Sequence, residues 1–223
     1  MRMKNPLAAL LLGMVASMCV PVIAAPAASA PSPLLTAAAT TVDPVKLVAD
    51  TSEQVRAILL RENGKNTEAI RKEVDDVAAS HFDYPRMTAL AVGKYWKQAS
   101  ATQKVQLTTE FKTLLMRTYF STMLRYRDVK INVKPDALLE NDGKQATVKS
   151  EVKLAEGKVV AIDYSLYSAA PSWKVFNVVV EGASLVTVYR NQFGEEISKS
   201  GIDGLIQSLQ AKNKQPAKVD AGK

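Results

Sequence analysis

The chain has 223 residues, with 29 Lys and Arg against 22 Asp and Glu, a net charge of +7, one cysteine and one histidine. The positive balance favours anionic lipid headgroups or acidic proteins as partners. Nucleic acid is a poor candidate, because no basic run is interleaved with the aromatics that single strands stack on.

Arg2 and Lys4 precede an apolar stretch over residues 7–20, followed by Pro21 and small residues. This basic, apolar, small-residue order is that of a secretory signal peptide over 1–24, with cleavage expected after Ala24. The alternative is an uncleaved anchor, which Pro21 and the Ala-rich exit disfavour. Cys19 follows bulky Met18, so lipidation is not expected, and the mature chain would carry no disulfide or thiol chemistry. Residues 25–42 are Ala, Pro, Ser and Thr and read as a flexible leader. Residues 43–211 form a single domain, and 212–223 read as a disordered tail.

From Asp43 to Arg127 the apolar spacing is helical. Asp43-Pro44 starts the first helix, with an N-cap and then Pro in the first turn. Val45, Val48, Thr51, Val55, Ile58 and Leu59 share its face, and Asn63-Gly64 ends it. A second helix over 67–79 carries Ile70, Val74 and Val77. Asp83-Tyr84-Pro85 opens a short helix that Gly93 closes, and Tyr95-Trp96 supplies a large anchor. Ser100 and Gln103 form a capping box. The long helix after it carries an apolar face from Val105 to Met123 that is wider than one seam needs.

Beyond Arg127 the period becomes two. Segments at 129–133, 146–154, 160–166 and 173–180 are joined by Asn141-Asp142-Gly143-Lys144, Glu156-Gly157-Lys158 and Ala170-Pro171-Ser172, an antiparallel meander with one face under the helices. In the last strand Val175 and Val179 fall on one face, and Phe176, Val178 and Val180 on the other. A strand apolar on both sides should be central or doubly covered. After Glu181-Gly182, Leu185, Val188, Tyr189 and Phe193 have helical or turn spacing, and a final helix follows Gly201-Ile202-Asp203-Gly204. The fold class is α+β.

The residue types that chemistry requires are sparse. His81 sits at a helix end and reads as a cap or a partly buried ring rather than a base. There is no Gly-x-Ser-x-Gly elbow and no phosphate loop. Glu73, Asp75 and Asp76 read as a solvated helix face, since metal ligands must converge. Asp163 and Glu181 are the carboxylates available to an isomerase or hydratase on a cone-shaped α+β fold. The alternation puts Asp163 on the wet face, and Glu181 sits where it can cap backbone N–H groups. Structure is the better reading for both. The apolar excess fits either a packed core or a pocket, and periodicity does not separate the two.

Two stretches carry a resemblance. Residues 82–119 hold Phe82-Asp83, Gly93-x-Tyr95-Trp96, the Ser100–Gln103 cap and Phe111 with Leu114-Leu115 and Tyr119. Residues 173–210 hold Trp173, Val180-Glu181-Gly182-x-Ser184, Tyr189-Arg190-x-x-Phe193 and Gly201-Ile202-Asp203-Gly204-Leu205. In this order they resemble the MlaC, or toluene-tolerance, family of periplasmic phospholipid-binding proteins. The resemblance implies an NTF2-like or MlaC-like fold: N-terminal helices on a twisted four-stranded antiparallel sheet, a C-terminal helix and an internal apolar pocket. It implies a soluble monomeric carrier, not an enzyme, needing no metal or cofactor and holding phospholipid as cargo. Its partners would be an outer-membrane lipoprotein–porin complex (MlaA-like) and the MCE-domain ring (MlaD-like) of an inner-membrane ABC transporter, and its role the maintenance of outer-membrane lipid asymmetry. On that reading Phe111, Leu114, Leu115, Ile162, Tyr164, Val178, Val180, Leu185 and Val188 are expected to supply much of the pocket wall. A periplasmic protein-binding module without lipid, with a nearly filled core, is the remaining alternative.

Overall fold

The structure is a computed structural model that describes residues 42–215. The expected signal segment, the leader before residue 42 and the tail after residue 215 lie outside the described residues.

Each α-helix but the second starts where a side chain accepts from a free N–H group. Helix α1 (Pro44–Leu59) is capped by Asp43, whose Oδ1 accepts from the Val45 N–H at 2.9 Å. Helix α2 spans Thr67–His81. Helix α3 (Tyr84–Val92) begins at Asp83, which accepts from the Arg86 N–H at 2.9 Å. A 3-10 turn, Gly93–Lys97, leads to α4 (Ala101–Arg125). The expected capping box is present there: the Gln103 N–H donates to Ser100 Oγ at 3.1 Å, and the Ser100 N–H donates to Gln103 Oε1 at 2.9 Å.

Strands β1 (Ile131–Glu140), β2 (Gln145–Lys153), β3 (Val159–Ala169) and β4 (Ser172–Val180) form the meander. A two-residue β5 (Ala183–Ser184) adds a fifth strand that the periodicity did not reveal. Glu181 and Gly182 make the β4–β5 turn with φ of +50° and +80°. Positive φ at both central positions is what a tight hairpin requires, and it is costly for a glutamate. Here Glu181 is held at both ends. Its N–H donates to the Ala161 carbonyl at 3.0 Å and its Oε1 accepts from the Ala161 N–H at 2.6 Å. The capping role expected of this carboxylate is its role in the structure.

Helix α5 (Leu185–Lys214) starts directly after β5 and breaks at Gly201, whose φ is +73° and ψ −178°. The separate final helix expected after Gly201 is therefore the second half of α5. Helix α5 also runs past the domain end expected at residue 211. The Asn213 Nδ2 donates to the Glu110 carbonyl at 2.9 Å and to its Oε2 at 2.7 Å, so α4 holds this end in helical form.

The last strand resolves differently from its alternation. Asn177 pairs with Ser165, but Val175 pairs with Leu166, so Phe176 is the extra residue of a bulge. The bulge reverses the phase. Val175 thereby joins Val178 and Val180 on one face. Phe176 lies by Tyr167, with the Arg86 guanidinium 4.3 Å from the Tyr167 ring centroid and 4.5 Å from that of Phe176. The strand is not apolar on both sides by pattern; one inserted residue makes it look so.

Three apolar clusters result. Helices α3, α4 and α5 enclose Met87, Leu107, Phe111, Leu115, Tyr189, Phe193 and Leu209. Leu47 and Val48 of α1 close on Ala146, Val148, Leu166, Trp173 and Val175 of the sheet. Ile58 and Leu59 of α1 meet Ile70 and Val74 of α2 and Phe120 of α4. Asp75 departs from the solvated face expected for it. Its Oδ2 pairs with Lys112 Nζ of α4 at 2.8 Å, and both side chains are largely covered. Asp76 pairs with Lys72 on the outer surface as expected.

Candidate functional site: an apolar face between α1 and the sheet

Register lines the helix-facing side of the sheet with one continuous stripe. Ala146, Leu166 and Val175 lie across one row, Val148, Tyr164 and Val178 across the next, and Ser150, Ile162 and Val180 across the third. Helix α1 seals the first row, where all three residues are at most 2 % exposed. Along the other two rows Val148 and Ser150 are buried, whereas Val178, Ile162 and Val180 are only half-buried. An apolar stripe that starts under a helix and runs out beyond it is a wall lacking part of its opposite side.

At the sealed end, a cavity of about 20 Å³ lies between Leu47, Val48, Thr51 and Ser52 of α1, His81 and Phe82 of the α2–α3 corner, and Tyr164 and Val175 of the sheet. Short Thr51 and Ser52 on an otherwise apolar helix face leave this space. Tyr164 lines this recess, and burial pushes its pKa up. It stays protonated and neutral. The Ser150 Oγ donates to the Ile162 carbonyl at 2.7 Å. His81 is pushed below its ordinary value by burial, with Lys174 nearby adding to the effect, so it too is neutral at pH 7. The lining therefore carries no charge at neutral pH. The layer is tied at its start by the Trp173 indole N–H, which donates to the Val42 carbonyl at 2.9 Å.

The nine expected wall residues fall in different places. Ile162, Tyr164, Val178 and Val180 come together on the stripe. Phe111 and Leu115 lie in the core of α3, α4 and α5, with Leu114 packed against it. The Phe111 ring meets Tyr189 edge-on at 4.9 Å and Phe193 at 5.2 Å. Leu185 is the first residue of α5. Val188 is 41 % exposed on α5, where the neighbouring Tyr189 takes the inward position. Leu47, Thr51, Ser52, His81, Phe82 and Val175 were missed. The signal for Thr51 and Ser52 was present, as short polar residues on the inner face of an apolar helix. Val175 was hidden by the bulge.

The other candidate chemistry is accounted for by geometry. Asp163 pairs in register with Lys149 and Val179, on the face opposite Tyr164. Among the described residues no group of three or more His, Cys, Asp or Glu could hold a metal ion. No helix among them is long and apolar enough to cross a membrane.

Fold and site together define an α+β protein with helices over an open antiparallel sheet and an uncharged apolar recess between them. The sequence profile of the MlaC protein family matches residues 49–211, and the chain belongs to that family. It is 33 % identical over 110 residues to the toluene tolerance protein ttg2D of Pseudomonas putida, 49 % of this chain and 50 % of the relative. It is 25 % identical over 128 residues to the intermembrane phospholipid transport system binding protein MlaC of Haemophilus influenzae, 56 % of this chain and 59 % of that protein. These matches span little more than half the length of the curated relatives. The structure of a phospholipid-binding protein from Ralstonia solanacearum, solved in complex with a phospholipid, is similar with a TM-score of 0.71 and 31 % identity. The alignment covers 77 % of this chain and 97 % of that one.

Proposed function

We propose that this chain is a periplasmic phospholipid carrier that takes acyl chains against the stripe of Ile162, Tyr164, Val178 and Val180 and shuttles them between outer- and inner-membrane complexes, maintaining outer-membrane lipid asymmetry. The observation that carries the reading is that this apolar stripe continues beyond the helix that covers it. Membership of the MlaC family and the likeness to a phospholipid-bound structure support it. The physical requirement is plain. Each CH₂ removed from water is worth about 0.8 kcal/mol, so two tails with about thirty CH₂ groups need roughly 20 kcal/mol of replacement contact. A neutral, apolar wall supplies that without a nucleophile or a metal.

The recess of about 20 Å³ has room for about one water. Tails therefore enter by parting α1 from the sheet, starting at the uncovered end of the stripe. The headgroup stays outside, where charge remains hydrated. The partners on this reading are an MlaA-like lipoprotein–porin complex and an MlaD-like MCE-domain ring.

Organic extraction of untreated protein followed by mass spectrometry tests the carrier role. Phospholipid is expected in every preparation, and its consistent absence would overturn the reading. Val178→Trp fills the stripe and is expected to lower occupancy severalfold with the fold intact by circular dichroism.

A further inference from the structure

The 3-10 turn and the first half of α5 enclose an open groove of about 690 Å³, whose walls carry Lys94, Tyr95, Arg190, Glu195, Ser198 and Lys199. It shares no lining residue with the recess under α1. Three cations against one carboxylate face it. Some basic side chains on the other helices are matched by acids, as in Lys46–Asp50, Arg56–Glu53 and Lys72–Asp76. Among the described residues no ion pair engages Lys94, Arg190 or Lys199. Their charge is available to a partner.

The groove is also positioned. The Arg190 Nε donates to the Leu90 carbonyl at 2.7 Å, near the end of α3, so one edge of the guanidinium is anchored while the residue lines the groove. The Tyr95 hydroxyl and Ser198 Oγ are 3.0 Å apart and tie the 3-10 turn to α5 across the groove. Gly194 lines the groove in mid-helix, where glycine costs about 1 kcal/mol relative to alanine. A Cβ there would meet nothing within 4 Å, so the missing side chain leaves groove space rather than relieving a clash.

We propose that this groove docks an acidic, extended segment of a protein partner. Guanidinium, ammonium and hydroxyl groups around one trough match carboxylates by charge and by hydrogen bonding. Lys94 on the 3-10 turn and Arg190 and Lys199 on α5 flank the groove, so a narrow chain laid along it meets all three, which favours a peptide over a bilayer. The groove is a second functional surface of the carrier, separate from its cargo face.

Fluorescence anisotropy with labelled octaglutamate at physiological ionic strength tests this, with octaglutamine as the neutral control. The wild-type chain is expected to bind octaglutamate and not octaglutamine. Lys94→Glu/Lys199→Glu should weaken binding by about tenfold or more. Lys65→Glu/Lys158→Glu makes the same change in net charge at exposed sites elsewhere and should weaken it by no more than about twofold. Equal losses in the two double variants would overturn the proposal, because binding would then report overall charge. So would no octaglutamate binding, or a groove variant that loses only its sedimentation with phosphatidylglycerol vesicles. Phospholipid occupancy of the groove variant, measured in parallel, should be unchanged, which separates this result from that of the cargo experiment.

Discussion

Asn177 shows how much one side chain can organise. It is 9 % exposed, and its Oδ1 accepts from Ser184 Oγ at 3.1 Å and, more weakly, from the Val186 N–H at 3.4 Å. It thus joins β4 to the first turn of α5, next to the bulge. Asn177→Ala leaves buried donors unmet and is expected to cost about 1–3 kcal/mol, measured by chemical denaturation. His81 makes a pH-dependent contribution. Burial lowers its pKa, so the unfolded chain binds the proton more tightly than the folded one. The stability it contributes is complete above the ordinary histidine value of about 6.5 and falls as pH drops through that value toward the folded pKa. The melting temperature should decline between pH 7.5 and 5.5, and less so in His81→Gln. An equal decline in both would remove His81 as the cause.

At the scale of elements, α5 depends on two glycines with different tasks. Gly201 holds φ +73° and ψ −178°, a region open essentially to glycine alone. Gly204 supplies room: a Cβ there would lie 2.2 Å from Ser200 Oγ, which itself donates to the Glu196 carbonyl at 3.0 Å. The break lets the second half of α5 turn Leu205, Ile206 and Leu209 into the core while Asp203 accepts from Gln103 Nε2 at 2.7 Å. Gly201→Ala should cost about 1–3 kcal/mol in the same denaturation assay, through strain rather than lost packing. The bulge at Phe176 is the matching device in β4, since it brings Val175 onto the helix-facing side of the sheet and gives Arg86 its two aromatic faces.

For the whole molecule, the cargo reading links ligand to stability. A phospholipid that binds only the folded chain stabilises it by about 2.7 kcal/mol at a free concentration of about one hundred times Kd. For a domain of this size that is several degrees in melting temperature. Delipidated protein is therefore expected to melt several degrees lower than protein as purified, and added phospholipid should restore the difference. No difference would mean that the apolar stripe contributes to packing alone.

The sequence by itself determined the elements whose causes are local. The Asp43, Asp83 and Ser100 caps, the period change after Arg127 and the Asn141–Lys144 turn each rest on neighbouring residues, and each is present in the structure. So do the α+β class and the two stretches that marked the family. The helix-facing stripe of the sheet was half legible: Ile162, Tyr164, Val178 and Val180 share a face. Tertiary structure alone decided the rest. The bulge at Phe176 depends on how β4 meets β3, and no alternation within β4 can reveal an inserted residue. Whether Phe111 and Leu115 face a ligand or other helices depends on which helix lies opposite, and that is α5, from a remote part of the chain. The recess exists because short Thr51 and Ser52 stand over the sheet, a shortage of volume that appears only once the two surfaces are brought together.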